Sequence, residues 1–141
     1  MPAETPALLR GEMTAQNANS SQWNWPDSLD ALIAAPKYHK LLLENDRVRV
    51  LDVRIPSGQT VPVHTHKWPS IVHIQSTSDF IRRDGQGKII FDSRTEATTA
   101  RPATTVQWLP PLPPHSVENI GNSEIHLFTV ELKDQQVLRL P

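Results

Sequence analysis

From about Lys40 onward the chain is written in short apolar segments, rich in Val, Ile, Leu, Phe and Thr and separated by turn residues. That texture predicts β-strands at Lys40–Glu44, Val48–Ile55, Val61–His66, Ser70–Gln75, Asp79–Arg83, Lys88–Asp92, Thr104–Leu109, His115–Ile120 and Ile125–Leu132. Between two of them, Asp84-Gly85-Gln86-Gly87 reads as a tight hairpin turn. No helical period and no repeat of solenoid length appears in this stretch. Eight or nine short strands in so few residues predict an all-β sandwich or small barrel, a fold that closes or covers its edges.

Upstream the texture differs. Residues 1 to about 24 are rich in Ala, Asn, Ser, Thr and Gln and read as a loosely ordered arm. A short helix is expected next, with Asp27 or Ser28 as N-cap, Leu29, Leu32 and Ile33 on one face, and Pro36 as its stop. Trp23 and Trp25 just before it could dock beside that face. The expected organisation is therefore an arm and short helix over 1–36, a barrel over 37–135 and a C-terminal tail over 136–141.

Composition narrows the function classes. The chain has 141 residues, within the size of one domain. Its 14 basic and 15 acidic side chains give a net charge of −1, with no field to attract nucleic acid or an anionic membrane. It has no cysteine, so disulfides, thiolate metal sites and cysteine nucleophiles are excluded. Thirteen prolines against five glycines favour strands and shaped loops over a helical bundle. Met1–Arg10 shows no secretory leader and no apolar run is long enough to span a membrane, so a soluble cytoplasmic protein is expected.

The informative segment is Gly58-Gln-Thr-Val-Pro-Val-His64-Thr-His66. Residues two apart in a strand share a face, so His64 and His66 point together and can grip one divalent ion. Further on stands Pro110-Pro-Leu-Pro-Pro-His115-Ser-Val-Glu-Asn119. Its prolines stiffen the approach to His115, and Asn119 can hydrogen-bond the loop backbone beside it.

At these two segments the chain resembles the cupin superfamily. The first cupin motif runs Gly, five residues, His-x-His, then Glu and a further Gly; Gly58, His64 and His66 match it. The second is Pro-x-Gly-x-x-His-x-x-x-Asn, matched by Pro110, His115 and Asn119. The resemblance covers roughly residues 40 to 133. It implies a small antiparallel jelly-roll barrel with a metal held by His64, His66 and His115, and a homodimer paired through barrel faces and N-terminal segments. The motif's Glu is absent, Ser70 and Ile71 standing where it should fall, and its later Gly is Thr77; the second-motif Gly is Leu112. Three neutral histidines leave the ion's double charge uncompensated and positions open, which favours anionic or chelating ligands.

Among three-histidine cupins the resemblance points to ferrous dioxygenases of the diketone-cleaving type, since a cysteine–tyrosine crosslink of the thiol-oxidising type cannot form here. The expected function is a metal-dependent dioxygenase, lyase or isomerase acting on a small acidic or enolisable compound, with one divalent ion (iron, nickel, zinc or manganese). The alternative, favoured by the missing Glu and the lack of an obvious acid–base residue, is a non-catalytic ligand- or metal-binding sensor or accessory module.

Other residues bear on the pocket. Alternation from His66 puts Ser70, Val72 and Ile74 on the ligand side and His73 and Gln75 on the other. Arg82 and Arg83 are adjacent, so one faces inward to anchor a substrate carboxylate, or both reach solvent at the rim. His126 shares a face with Phe128, Val130 and Leu132 and stands as a substrate contact or as a hydrogen-bonded core residue. Trp68 and Trp108 lie close to the motifs and either cap the mouth or pack the barrel. Glu118 should point outward.

Overall fold

The structure is a computed structural model and describes residues 23–96 and 105–133. Among the described residues nine strands are seen: β1 (His39–Glu44), β2 (Val48–Ile55), β3 (Thr60–His66), β4 (Ser70–Ser76), β5 (Phe80–Asp84), β6 (Ile89–Asp92), β7 (Val106–Leu109), β8 (Leu112–Asn119) and β9 (Ile125–Leu132). They form a five-stranded sheet in the order β1-β2-β9-β4-β7 and a four-stranded sheet in the order β3-β8-β5-β6. Every ladder within them is antiparallel, as the all-β jelly-roll expectation requires.

Alternation of side chains builds the interior. On β2 the residues Leu51, Val53 and Ile55 are buried, and they pack with Val61 of β3 and Ile125 of β9. The arm to residue 22, the link 97–104 and the tail 136–141 lie outside the described residues. Before β1, a 3-10 turn (Asp27–Leu29) leads into α1 (Ala31–Ala34). The expected caps Asp27 and Ser28 lie within that turn, and the cap of α1 is Asp30, whose carboxylate accepts from Leu32 N at 3.0 Å. Ala35 and Tyr38 join the core just after it. A second helical turn, α2 (Ser93–Glu96), was not signalled by any apolar period.

Two prolines changed one strand boundary. Strand β8 begins at Leu112 and so includes Pro113 and Pro114, where the sequence suggested an approach loop ending at His115. Proline fits there because β5 pairs with β8 only from His115 onward, which leaves residues 112–114 paired on one side. The hairpin between β5 and β6 is as expected: Asp84 Oδ1 accepts from Gln86 N and Lys88 N, and Gly87 adopts φ +90°.

On the outer face of the larger sheet, register lines up Leu43, Val50, Val130, Ile71 and Trp108 across all five strands. Trp108 therefore faces away from the barrel interior, 47% exposed, rather than capping its mouth.

Candidate metal centre and pocket

The β3–β8 ladder places His64 directly opposite His115, with ring centroids 4.4 Å apart. The register is irregular on both sides of the His64–His115 pair, with an extra residue on β3 between Val61 and His64 and on β8 between Leu112 and His115, so Val61, His64 and His66 meet Val117, His115 and Leu112. The third motif histidine, His66, lies 5.0 Å from His64 and 5.8 Å from His115, centroid to centroid. The three rings expected from sequence are thus neighbours inside the barrel.

A fourth histidine joins them that the motifs leave out. His39 opens β1, is buried, and lies 4.9 Å from the His64 ring and 5.4 Å from the His66 ring. The ligating nitrogens of His39, His64 and His66 all fall within 4.8 Å of one another. That trio differs from the expected one, in which His115 stood in place of His39. The only sequence signal was a histidine one residue before a predicted strand.

Each imidazole is oriented by its Nδ1–H. His39 donates to Ala35 O at 2.9 Å, His64 to Pro62 O at 2.8 Å and His115 to Pro113 O at 2.8 Å. A carbonyl can only accept, so these bonds fix the tautomer and leave the Nε2 lone pair free. His64 and His115 share one local device, a proline carbonyl two residues upstream; the Pro-x-His pattern was readable in both motifs. His66 differs, for its Nδ1 lies 2.7 Å from Glu131 Oε2.

Glu131 is wholly buried and stands opposite Ser70 in the β4–β9 register. Ser70 occupies one of the two positions where the cupin motif would carry its Glu. A carboxylate is therefore present at this level of the barrel, one strand across, and it contacts a candidate ligand's far nitrogen. Its other oxygen accepts from Arg49 Nε at 2.6 Å, and Arg49 forks onto Asp30 at 2.9 and 3.0 Å. The chain Asp30–Arg49–Glu131–His66 ties the cap of α1 to the imidazole cluster. Burial alone would raise the Asp30 carboxyl, but the Arg49 guanidinium and the Leu32 N–H together outweigh it and hold Asp30 below the ordinary range.

Burial also sets the protonation of the rings. Desolvation, with repulsion from neighbouring imidazoles, pushes His64 down to about 2 and His39 to about 4; His115 falls to about 3, chiefly through desolvation. All three are neutral at physiological pH, the form that binds a metal. Neutral, pre-oriented nitrogens on a buried cluster are a donor set suited to a divalent transition ion.

The cluster opens into a cavity of about 560 Å³. Its walls are mainly apolar, with Val72, Ile74, Phe80, Leu112 and Leu127 among them. Ser70 lies on this wall, as alternation predicted, while His73 is exposed and hydrogen-bonds Gln75. Of the arginine pair, Arg82 faces the cavity and Arg83 points outward to Glu118 at 2.9 Å. The expectation that both reach the rim does not hold for Arg82.

Two expected pocket residues sit elsewhere. His126 lies on the opposite face of β9 from the cavity-lining Ile125, Leu127 and Thr129, and its Nε2 is 2.6 Å from Asp52 Oδ1. Trp68 lines a separate shallow hollow with Trp23 and Asp30, its ring facing the Arg49 guanidinium at 5.0 Å. It packs behind the centre, through Arg49, instead of over its mouth. Of the support residues, Gly58 takes φ +81° and donates its N–H to Asn119 O at 3.0 Å, so the two motifs are joined. Asn119 Nδ2 donates to Ile55 O and Ser123 O, and its Oδ1 accepts from Gly121 N. Pro110 is exposed on the short link between β7 and β8.

Neither a protein-family model nor a curated protein matches the sequence. Solved structures do resemble the fold. A cupin domain from Bordetella pertussis Tohama I is 20% identical, with 68% of this chain and 92% of that one covered and a TM-score of 0.53. A cupin family protein with a double-stranded β-helix from Methanocaldococcus jannaschii is 13% identical over 72% and 84% of the two chains, at a TM-score of 0.48. The polyketide cyclase RemF from Streptomyces resistomycificus is 15% identical over 72% and 68%, at 0.46. With two antiparallel sheets closing around an inward-facing histidine cluster, and a cupin domain superposing along most of its length, this chain has the cupin fold.

Proposed function

We propose that the protein is a metal-dependent cupin enzyme acting on a small acidic or enolisable compound, with one divalent transition ion held by His39, His64 and His66 and with His115 as a further donor. The observation that carries this reading is the hydrogen bonding of the rings. All four Nδ1 atoms have acceptors within 2.9 Å, which leaves the Nε2 atoms unengaged, and the ligating nitrogens of His39, His64 and His66 lie within 4.8 Å of one another. Random burial of histidine does not orient four rings alike, whereas metal sites depend on such bonds. When bound, the ion supplies Lewis acidity and, if it is iron, a site for dioxygen chemistry. The chain's own residues do the remainder. Val72, Ile74, Phe80 and Leu127 exclude water around the bound compound, and Ser70 offers a hydroxyl at the cluster's edge.

Elemental analysis of purified protein tests the centre. One transition ion per chain is expected in the wild type, with occupancy lost in both His39→Ala and His64→Ala. Full occupancy in both variants rejects the site. Ferrous-, nickel-, manganese- and zinc-loaded protein is then offered small diketones and hydroxy or keto acids, with oxygen uptake and substrate loss followed. Silence from every combination replaces the enzyme reading with that of a binding module.

A further inference from the structure

Arg82 is a charge inside the barrel that the fold does not use. Its Nε is buried and has no hydrogen-bond partner among the described residues. The neighbouring Arg83 has Glu118, and the buried Arg49 has two carboxylates. Arg82 has the face of Phe80, 5.9 Å from its guanidinium carbon, and the cavity. A half-buried guanidinium with a buried, unpartnered Nε and no counter-ion is costly, and native interiors leave few such groups without a purpose. Its surroundings lower its proton affinity by desolvation alone, so no carboxylate offsets the burial.

Its position relative to the histidines is set by register. On β8 the inward residues His115 and Val117 follow one another, and Arg82 stands opposite Val117. Arg82 is therefore one inward-facing row from the His64–His115 pair, about 7 Å along the strand. A molecule of a few carbons touches both.

We infer that Arg82 is the anion-binding subsite of this cavity and that its ligand is a small organic monocarboxylate with an apolar body, oriented so that its other end meets the histidine cluster. Three features choose the class. A guanidinium presents a planar fork matched to a carboxylate. Arg82 is the only Lys or Arg among the described residues lining the cavity, and Asp79 and Glu96 line it too, which disfavours a doubly charged phosphate. The walls beyond the fork are apolar, so the rest of the ligand is hydrocarbon in character. The inference rests on reading this cavity as the substrate site, and it does not depend on which ion is bound.

The test pairs 3-phenylpropanoate with its uncharged isostere 3-phenylpropanamide, titrated by calorimetry into zinc-supplemented full-length protein. The acid is expected to bind at least tenfold tighter than the amide. In Arg82→Gln that preference disappears while zinc content and amide binding stay at wild-type levels, and Arg82→Lys restores part of it. Inorganic phosphate is expected not to displace the acid. Equal binding of acid and amide, retention of the preference in Arg82→Gln, displacement by phosphate, or no binding of either probe overturns the subsite. Urea unfolding gives an independent readout: removing an unpartnered charge leaves the stability of Arg82→Gln unchanged or higher. A clear loss of stability marks a structural arginine and overturns the inference. Absence of zinc with the acid preference intact removes the metal centre and leaves the Arg82 subsite standing.

Discussion

Replacing Glu131 with Gln isolates the contribution of the buried carboxylate behind His66. The side chain is wholly buried, and its two oxygens accept from Arg49 Nε at 2.6 Å and from His66 Nδ1 at 2.7 Å. Gln has the same shape but one acceptor oxygen, so its amide N–H must face either the guanidinium or the imidazole N–H. One charge-assisted bond is lost, about 1.5–3 kcal/mol, and a donor is left facing a donor. Arg49 keeps Asp30, which limits the damage below that of a fully orphaned buried charge. The net expectation is a loss of about 3 kcal/mol in the metal-free protein. Urea unfolding should show it as a lower midpoint at unchanged slope. The same substitution weakens the hold on the His66 ring, and metal affinity should fall about 10- to 100-fold in competition with a chromophoric chelator. Asp30→Asn, one link further out, should cost less on both measures. A Glu131→Gln protein with stability within about 0.5 kcal/mol of wild type and unchanged zinc affinity refutes the argument, because a carboxylate so placed cannot then be orienting the ligand.

The metal-free protein should be acid-labile. His39, His64 and His115 have folded-state values far below the ordinary imidazole value of 6.5, so below that pH the unfolded chain takes up protons that the folded one does not. Stability is level above about pH 7 and falls as pH drops, by about 1.4 kcal/mol per unit for each ring and about 4 for the three near pH 5. Urea midpoints that coincide at pH 7 and pH 5 would rule this out. Asn119→Ala removes three side-chain hydrogen bonds from a residue that is 0% exposed, and about 3 kcal/mol should be lost in urea unfolding. Gly121→Ala should lower the melting temperature, because a Cβ there would collide with Ser78 Oγ and come within 2.8 Å of Asp79 N; a melting temperature at the wild-type value contradicts that crowding.

Much of this architecture was legible along the chain. Strands β2 and β9 were expected at the residues where they occur, because a sheet with one buried face imprints its two-residue period on the sequence. The pairing of His64 with His66 follows from the same period, and the side chosen by Ser70, Val72 and Ile74 continues it across Pro69. What failed was information that no single strand contains. His39 carries no spacing signal, since it reaches the cluster from β1 through pairing with β2 and a bond to the end of α1. Glu131 looked like one more scattered acid until β9 was seen between β2 and β4, which puts it level with Arg49 on one side and Ser70 on the other. Trp68 and His126 stand near the motifs in sequence or on an apolar stripe, yet Trp68, in the link between β3 and β4, and His126, on the far face of β9, both lie away from the cavity. Local alternation says which residues share a face. Only the order of the strands says which face is inside, which distant residues stand level with one another, and whether an inward-facing charge such as Arg82 has been given a partner.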